Sequence, residues 1–388
     1  MKLVIIGNGI AAQRCLMLLY KENLENTEVS IVCKEKFGPY SRIMLPDYIK
    51  GSKKEEFFKN DTLKAYEAKG LKIYRENPAI RIDRDNKRVV LESGEEIAYD
   101  KLILALGSIP RKLPLPGGEL EGILPLRTVL DADRIIESNP EHVLVVGGGL
   151  LGIEAASAVA SRFGKPVCIL ENHDYILSRQ LDKDAADFLE ALLLEKGLKF
   201  LKNRTSVRYE GDDGVHADTL YLGTGDYVKA DLFLEAVGVI PNTELARDAG
   251  LEVKRAIVIN DRAETSDPDI YAIGDDAEYN GFCPGLVSFA NETGRVAVMN
   301  ALGRDERIKL PVNSAYISVA GIECYSVGNI REYESAVIKQ KGDRYESYFI
   351  DIDGSLNGVI AVGSRENMAK ATAMIGKPFD ISIASWAE

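Results

Sequence analysis

Two short glycine-rich turns, each directly after a run of apolar residues, constrain the fold of this chain more than any other feature of its sequence. The first reads KLVIIGNGIAA over residues 2–12, and the second reads VLVVGGGLLGIEAA over residues 143–156. In each, a short apolar run ends at a glycine, and small and apolar residues with helical spacing follow. A strand, a tight turn and a helix in this order are typical of a parallel sheet covered by helices. The sequence therefore predicts an α/β fold in which this unit occurs twice.

Both turns match the fingerprint of a Rossmann-like dinucleotide-binding domain, GxGxxG or GxGxxA. The small positions are Gly7, Gly9 and Ala12 in the first turn and Gly147, Gly149 and Gly152 in the second. The first small residue allows a sharp turn, the second lets the backbone approach a pyrophosphate, and the third lets the helix pack against the strand. The N–H groups and the positive dipole end of the following helix stabilise the phosphates. The residues that open these helices join the predicted sites: Ile10, Ala11, Leu150 and Leu151.

A carboxylate near the end of the next strand is the second part of the fingerprint, because it accepts hydrogen bonds from ribose hydroxyls. Glu171 ends the run PVCILE about 20 residues beyond the second turn. Its charge would repel a 2'-phosphate, which favours NADH over NADPH. After the first turn, Lys34 and Glu35 occupy the corresponding point of the run EVSIVCKEK, and Glu35 is the better acceptor. A solvated surface acid is the alternative interpretation of Glu35.

Composition and charge argue against several other classes of function. The net charge of -12 disfavours nucleic acid or anionic lipid as the main partner, since both are densely negative. No apolar run is long enough to cross a bilayer, and no signal peptide precedes the first strand, so the cytoplasm is the expected location. The five cysteines are scattered without a CxxC pair, so neither a metal site nor an iron-sulfur cluster is predicted.

Two segments rich in turn residues divide the chain. GSIPRKLPLPGGELEG at 107–122 is typical of a linker, and a second crossing is expected within LEAVGVIPNTEL at 234–245. The strand ends LILALGSIP (102–110) and LFLEAVGVIP (232–241) are similar to each other, as expected when one unit occurs twice. From about residue 305 onward the glycine turns stop, and short strand candidates predict a small α+β domain.

The chain resembles the flavoproteins with two dinucleotide-binding domains, the pyridine nucleotide-disulfide oxidoreductase superfamily. Besides the two turns, three stretches carry the resemblance: LILALGS (102–108), DIYAIGDDAE (269–278) and PGLVSFANETGRVAVMN (284–300). In this family the first fingerprint holds FAD and the second holds NAD(P)H. The implied domains are a discontinuous FAD-binding domain (1–112 and 237–304), an inserted NAD-binding domain (113–236) and a C-terminal α+β domain (305–388).

The resemblance also implies further cofactor-binding residues. Asp275 corresponds to the aspartate that accepts hydrogen bonds from the ribityl chain of FAD. Leu286 and Val287 open the helix whose N-terminus points at the flavin ring. The remaining implied residues are Ala105, Gly107 and Ser108 at a strand end, Ala79 against the adenine, and Gly238 at the second crossing.

Within the superfamily, the stretch GPYSRIMLPDYI at 38–49 is similar to NADH:rubredoxin oxidoreductases and to the flavin-binding part of NADH-dependent nitrite reductase. This resemblance places Arg42 against the flavin or its phosphates. Relatives that use a thiol carry a cysteine in this stretch, whereas this chain has none between Cys33 and Cys168. A thiol mechanism needs a thiolate beside the flavin, so the sequence argues against one.

Glu154 follows the last glycine of the second turn by two residues. By resemblance it lies near the flavin, where it would pair with Arg42 and hold the nicotinamide pocket in shape. The alternative is an acid at a helix start that interacts with the helix dipole. Arg42 and Glu154 are therefore the two candidate catalytic residues, with roles in positioning rather than in proton transfer.

These observations predict an FAD-dependent NADH:acceptor oxidoreductase. Hydride passes from NADH to FAD, and single electrons then pass to a small redox protein such as rubredoxin, because a flavin converts a two-electron donor into a one-electron donor. One alternative is a stand-alone relative of the nitrite reductase flavin module that serves an iron-sulfur or sirohaem partner. A flavin-binding redox sensor is the other. The oligomeric state and the identity of the acceptor stay open at this stage.

Overall fold

A computed structural model describes residues 1–22, 26–59, 63–310 and 314–384 of the chain. It divides into two compact units, each built from separate segments. The first unit comprises Met1–Ile43, Lys53–Ile109 and Val239–Pro311, and the second comprises Met44–Ser52, Pro110–Gly238 and Val312–Glu388. Each glycine turn lies in its own unit.

The described residues contain 25 strands and ten α-helices, and several runs of strands follow one another without an intervening helix. The strands are β1 (Lys2–Ile6), β2 (Glu28–Val32), β3 (Lys72–Tyr74), β4 (Ala79–Asp83), β5 (Arg88–Leu91), β6 (Glu96–Ala98), β7 (Lys101–Leu104), β8 (Ser108–Pro110), β9 (Ile123–Leu124), β10 (Val143–Val146), β11 (Val167–Leu170), β12 (Leu198–Leu201), β13 (Ser206–Glu210), β14 (Thr219–Leu222), β15 (Tyr227–Lys229), β16 (Leu232–Glu235), β17 (Val239–Pro241), β18 (Ile257–Ile259), β19 (Ile270–Ala272), β20 (Ala277–Tyr279), β21 (Ser314–Val319), β22 (Ile322–Gly328), β23 (Ser335–Lys341), β24 (Arg344–Ile350) and β25 (Leu356–Val362). The helices are α1 (Ile10–Leu19), α2 (Leu45–Lys50), α3 (Glu55–Lys59), α4 (Lys64–Glu67), α5 (Val129–Ser138), α6 (Leu150–Phe163), α7 (Lys183–Leu194), α8 (Glu244–Asp248), α9 (Val287–Ala301) and α10 (Met368–Met374).

The first unit is built on a parallel sheet with the strand order β19-β7-β1-β2-β3. Its central strand β1 pairs with β2 on one side and with β7 on the other. Leu3, Val4 and Ile5 of β1 are at most 1% exposed, as expected for a parallel strand covered on both faces. Helices α1 and α9 pack against each other, and α9 also contacts β19. Because β1, β7 and β19 are parallel, the residues after their carboxyl ends meet at one edge of the sheet.

The second unit is built on another parallel sheet, with the order β12-β11-β10-β16-β9. Val146, the last residue of β10, lies opposite Leu170 of β11 and Glu235 of β16. The residues that follow these three strands therefore gather at one edge, directly at the second glycine turn. Helix α6 packs on β10 and β11, and α2 packs on both α5 and α6.

Each unit also contains an antiparallel sheet of three strands. The order β4-β5-β6 belongs to the first unit, and β13-β14-β15 belongs to the second. The C-terminal part of the second unit is an antiparallel sheet with the order β21-β22-β25-β24-β23. Helix α7 contacts β24 and β25 of this sheet, and α10 contacts β22 and β25.

The predicted fold class is confirmed: each glycine turn follows the central strand of a parallel sheet, and a C-terminal α+β segment is present. The predicted limits of the three domains stay a prediction, although residues 314–362 do carry the separate antiparallel sheet. Within the described ranges, no helix is both long and apolar enough to cross a membrane.

Candidate functional site

The first glycine turn has the geometry that phosphate binding requires. Gly7 has a φ of +120°, and a Cβ added there would lie 2.0 Å from the carbonyl oxygen of Ala105. A Cβ added at Gly9 would meet no atom of the described protein within 4 Å. Helix α1 then begins at Ile10, and no side chain of the described residues caps its first turn. The space over Gly9 and the N–H groups of α1 together suit an anion.

The N-terminal part of α1 also contacts the stretch that contains Asp275. A Cβ at Gly274 would lie 3.1 Å from the Cβ of Ala11, and a Cβ at Gly294 of α9 would lie 3.1 Å from the carbonyl oxygen of Ala11. Ala12, at the third small position, is fully buried. Small side chains therefore allow α1, α9 and the strand end after β19 to approach one another closely.

Two adjacent aspartates join the carboxyl ends of β7 and β19. Ser108 Oγ donates a hydrogen bond to Asp275 Oδ2 at 2.7 Å, which brings two predicted site residues together. Asp276 is fully buried, and its Oδ2 accepts a hydrogen bond from the N–H of Leu106 at 2.9 Å. Burial raises the pKa of Asp276 well above its usual range. The sequence prediction missed Asp276, because nothing in the pair of acids indicates which one faces inward.

Glu35 and Arg42, predicted separately, form an ion pair. Arg42 Nη2 lies 2.5 Å from Glu35 Oε1, and the hydroxyl of Tyr40 donates to Glu35 Oε2 at 2.6 Å. Arg42 also lies over the ring of Tyr40, 5.3 Å from its centre. The neighbouring Lys34 is exposed. Sequence reasoning missed Tyr40, although it stands two residues before Arg42 in the stretch that carried the resemblance.

The remaining predicted residues of the first unit lie at the edges of this region. Ala79 begins β4, and the nearby Asn77 donates its N–H to the carbonyl of Cys33 at 3.3 Å, which brings this segment to the end of β2. Leu286 is the N-cap residue of α9, and the helix begins at Val287 without a side-chain cap among the described residues. Thr293 of α9 accepts a hydrogen bond from the N–H of Gly274 through its Oγ1, at 3.1 Å.

The second glycine turn repeats this construction. Gly147 has a φ of +115°, and a Cβ there would lie 2.5 Å from the carbonyl oxygen of Ala236. A Cβ at Gly152 would lie 2.0 Å from the carbonyl oxygen of Gly147, whereas a Cβ at Gly149 would meet nothing within 4 Å in the described chain. Helix α6 begins at Leu150 without a side-chain cap in the described residues, and Leu151 is 41% exposed.

Glu171 is fixed at this turn by several hydrogen bonds. Its Oε2 accepts from the N–H of Gly148 at 2.7 Å, and its Oε1 accepts from the N–H of His173 at 2.9 Å. The Nδ1 atom of His173 also lies 2.7 Å from Oε1. Glu171 is only 7% exposed, so its carboxylate has a defined orientation. The spacing of the fingerprint predicted Glu171, but it gave no sign of His173.

Gly238 lies where the chain leaves the second unit, with a φ of +100°. Its carbonyl accepts from the N–H of Arg111 at 3.0 Å. Nearby, the buried Glu235 at the end of β16 accepts from the hydroxyl of Tyr209 at 3.0 Å and from the N–H of Leu113 at 3.2 Å. Burial raises the pKa of Glu235. Sequence reasoning missed this acid, which holds the incoming segment against the carboxyl edge of the sheet.

Glu154, the second candidate catalytic residue, lies on α6 in the second unit. Burial raises its pKa to about 7, and the charge of Asp47 on α2 acts in the same direction. Asp47 was not predicted as a site residue. Arg42 belongs to the first unit and is paired with Glu35, so the pairing of Arg42 with Glu154 stays a prediction.

The residues present fit two dinucleotides. In both turns the first glycine lies close to a neighbouring carbonyl and the middle glycine is open, and both helices start without a side-chain cap in the described chain. Asn8, in the first turn, has a buried Oδ1 atom without a hydrogen-bond partner among the described residues, which is unusual for a buried polar atom. A cofactor bound at the turn would supply polar groups for it.

Comparison with known proteins agrees with this geometry. A sequence family described as pyridine nucleotide-disulphide oxidoreductase matches residues 1–301. The chain belongs to this family. Membership confirms the predicted superfamily and its cofactor pair, FAD with NAD(H). It does not identify the individual residues that contact each cofactor.

Individual relatives of this oxidoreductase extend the similarity beyond residue 301. The assimilatory nitrate reductase electron transfer subunit of Bacillus subtilis is 34% identical over 389 residues, which cover 99% of this chain and 50% of that protein. The NADH-rubredoxin oxidoreductase of Clostridium acetobutylicum is 33% identical over 365 residues, which cover 92% and 86%. The crystal structure of NADH:rubredoxin oxidoreductase from that organism has a TM-score of 0.82 at 31% identity and covers 98% of this chain and 96% of that one. The chain thus spans about half the length of the nitrate reductase subunit.

Proposed function

We propose that this chain is an FAD-dependent NADH:acceptor oxidoreductase that delivers electrons to a small redox protein, with rubredoxin as the first candidate. The observation that carries the proposal is the similarity to the NADH-rubredoxin oxidoreductase of Clostridium acetobutylicum, because it spans 92% of this chain and 86% of that protein. The predicted cytoplasmic location stays a prediction.

In the first unit, the proposed role of each residue follows from its chemistry. Gly9 and the start of α1 bind the pyrophosphate of FAD, since Gly9 leaves open space and no side chain of the described residues caps the first N–H groups of the helix. Glu35 accepts hydrogen bonds from a ribose, and its ion pair with Arg42 fixes its orientation. Asp275 accepts from the ribityl hydroxyls, with one of its oxygens already held by Ser108.

In the second unit, the same chemistry is proposed for NADH. Gly149 and the start of α6 bind its pyrophosphate, and Glu171 accepts from the hydroxyls of the adenosine ribose. The negative carboxylate of Glu171 would repel the 2'-phosphate of NADPH, so NADH is preferred to NADPH. Glu154 shapes the nicotinamide side of the pocket.

The cysteines of the first unit support an electron-transfer function rather than disulfide reduction. Cys15, Cys33 and Cys283 are buried. Burial raises the pKa of the Cys15 thiol to about 12 and that of Cys283 to about 11. Neither thiol would be ionised at neutral pH, and a thiol is a poor nucleophile compared with its thiolate. An acceptor that takes single electrons needs no such group.

Bound FAD supplies the conversion between a two-electron hydride donor and one-electron acceptors. The contribution of the chain is placement: the two turns hold the phosphates, and the carboxylates of Glu35, Asp275 and Glu171 hold the sugars. No side chain needs to donate or accept a proton in the hydride step, so the site requires no catalytic triad. The rate of the hydride step in such a site depends on the orientation of the two cofactors and on the distance between them.

An anaerobic stopped-flow experiment tests the acceptor. The flavoprotein is first reduced with one equivalent of NADH and is then mixed with oxidised rubredoxin. The expected result is rapid return of the oxidised flavin spectrum, with rubredoxin reduced in step. Reoxidation no faster than in a mixing control with apo-rubredoxin would contradict the proposal.

A second candidate is a stand-alone flavin module that serves the partner of a nitrate or nitrite reductase. It is favoured by the 34% identity to the Bacillus subtilis electron transfer subunit over 99% of this chain. In the same stopped-flow experiment, this candidate predicts faster reoxidation by an iron-sulfur or sirohaem protein than by rubredoxin. A redox sensor instead predicts a long-lived reduced state with every acceptor.

A further inference from the structure

The loop between β11 and α7, residues 171–182, lies against the second glycine turn. Gly148 donates its N–H to Glu171 Oε2 at 2.7 Å, and its carbonyl accepts from the N–H of Leu177 at 2.9 Å. Both polar backbone groups of Gly148 therefore bind this one loop. Any shift of the loop would therefore move the backbone of Gly148 and the carboxylate of Glu171 together.

The loop has a backbone conformation that needs external support. Leu177 has a φ of +52°, in the left-handed region that residues other than glycine, asparagine and aspartate adopt rarely. Such a residue persists only where the surrounding structure holds it. Its side chain is 1% exposed, and the neighbouring Ile176 is fully buried, so packing provides part of that support.

Arg331 provides polar support from outside the second parallel sheet. It belongs to the connection between β22 and β23, far away in the sequence. Its Nη2 donates to the carbonyl of Ser178 and, at 2.9 Å, to the carbonyl of Leu181, while its Nη1 lies 3.3 Å from the hydroxyl of Tyr175. A planar guanidinium can bridge several acceptors at once, whereas a lysine presents a single point charge.

The backbone of Arg331 is linked to the C-terminal sheet by hydrogen bonds through Asn329. Its backbone N–H donates to Asn329 Oδ1 at 3.0 Å, and the N–H of Asn329 donates to the carbonyl of Asn357 at 2.9 Å. Asn357 lies on β25, one of the strands that α7 contacts. The loop is thus attached to the connection between β22 and β23, which is in turn hydrogen-bonded to β25 of the C-terminal sheet.

We propose that Arg331 is a positioning residue for the adenosine half of NADH. It acts through the 171–182 loop, which holds the ribose acceptor Glu171 and the backbone of Gly148, the residue before the proposed phosphate-binding Gly149, in one arrangement. This inference rests on the proposed function, because it requires the second turn to bind the coenzyme. It gives the C-terminal sheet a role in coenzyme affinity, in addition to any role in stability.

The test compares Arg331→Ala with the wild-type flavoprotein by titration calorimetry, with ADP-ribose as the probe. ADP-ribose carries the adenosine and both phosphates but no nicotinamide. The expected result is an approximately tenfold weaker Kd, as follows if the binding-competent loop becomes about tenfold less populated. Arg344→Ala is the matched control, since Arg344 lies on β24 of the same sheet and pairs at 3.2 Å with the exposed Glu366. Its Kd is expected to equal that of the wild type.

A kinetic readout separates positioning from general damage. With a small artificial electron acceptor, Arg331→Ala is expected to raise the KM for NADH about tenfold and to leave kcat and flavin content unchanged. Reduction by nicotinamide mononucleotide in its reduced form, which lacks the adenosine half, is expected to proceed at the wild-type rate. A slower rate with this short donor would show general damage and would overturn the proposal.

Two further outcomes are decisive. If the wild type binds ADP-ribose and Arg331→Ala binds it equally well, only the role of Arg331 is wrong. If the wild type binds no ADP-ribose, the second turn is not the coenzyme site, and the proposed function fails with it. Should Arg331→Ala not fold, Arg331→Lys is measured in its place, with an expected Kd several-fold weaker because an ammonium cannot bridge the carbonyls in the same way.

Discussion

The carboxylate of Glu171 is oriented by the protein itself. Both of its oxygens accept backbone N–H groups, one from Gly148 and one from His173, and its side chain is buried. A group fixed in this way needs no reorganisation to accept hydrogen bonds from a ribose. Under the proposed function, its negative charge would also lie directly against a 2'-phosphate, so this one residue would favour NADH and disfavour NADPH.

Glu171→Gln removes this charge while it keeps the size of the side chain. The ratio of kcat/KM for NADPH to that for NADH is expected to rise tenfold or more, because like charges at close range cost several kcal/mol. Flavin reduction measured with each coenzyme gives the ratio. Glu210→Gln is the control, since Glu210 is an exposed acid paired with Arg208 in the same unit. An unchanged ratio in Glu171→Gln would refute the role assigned to Glu171.

The raised pKa of Glu154 predicts that the stability of the folded protein depends on pH. Burial and Asp47 raise its folded-state pKa from 4.5 to about 7, so the folded protein binds a proton that the unfolded chain has released between these values. Stability from this group is therefore present at low pH and is lost as the pH rises from about 4.5 through 7. The Tm of Glu154→Gln minus that of the wild type is expected to be about 2–4 °C larger at pH 8 than at pH 5. Thermal melts at both pH values measure this difference, and an equal difference would contradict the raised pKa.

At the scale of elements, both sites are made where a central parallel strand ends and a helix begins. The same three constraints recur in each: a left-handed first glycine, an open middle position and a small residue where the helix meets the strand. In the second turn, a substitution at the middle position is expected to affect binding, and a substitution at the third position is expected to affect stability. The middle glycine has space for a methyl group, whereas the third does not.

Gly149→Ala and Gly152→Ala are expected to fail in different ways. A Cβ at Gly149 meets no described protein atom within 4 Å, so the variant should fold with a Tm near that of the wild type but bind NADH at least tenfold more weakly. A Cβ at Gly152 would lie 2.0 Å from a backbone oxygen, which should cost about 1–3 kcal/mol or more in unfolding free energy. Denaturant melts and NADH titrations distinguish the two. The reverse pattern would show that the turn does not face a ligand.

Asp275 and Asp276 provide a similar comparison at the ends of β7 and β19. Asp275→Ala is expected to weaken FAD retention, measured as flavin per chain after gel filtration. Asp276→Asn is expected to retain flavin near the wild-type level, because burial raises the pKa of Asp276 and a neutral amide has nearly the same shape as a protonated carboxyl. Full flavin occupancy in Asp275→Ala would remove Asp275 from the site.

The strand and helix at each turn were predictable because their signals are local. Apolar runs, the three small positions and the spacing to Glu171 all lie within one strand-turn-helix-strand segment. The partners that hold the site in place are not local: Leu106 and Asp276 are 170 residues apart, and Ser178 and Arg331 are 153 apart. Such pairs depend on which strands become neighbours, and a single sequence carries no pattern for that choice.

At the scale of the whole molecule, the order of the segments is itself informative. The first unit is assembled from three separate stretches, and the second also includes Val312–Glu388. The C-terminal sheet therefore belongs to the same compact unit as the second glycine turn, which the sequence did not indicate. Arg331 is one of the contacts between that sheet and the elements around the turn, and it binds the loop that lies against Gly148.

The central claim is that one turn keeps a flavin while the other binds NADH. Anaerobic titration of the purified protein with NADH, followed by absorbance, tests it most directly. The predicted result is one FAD per chain before any addition and complete loss of the oxidised flavin spectrum at one equivalent of NADH. A colourless protein that added FAD does not reconstitute, or a flavin that NADH leaves oxidised, would contradict the account.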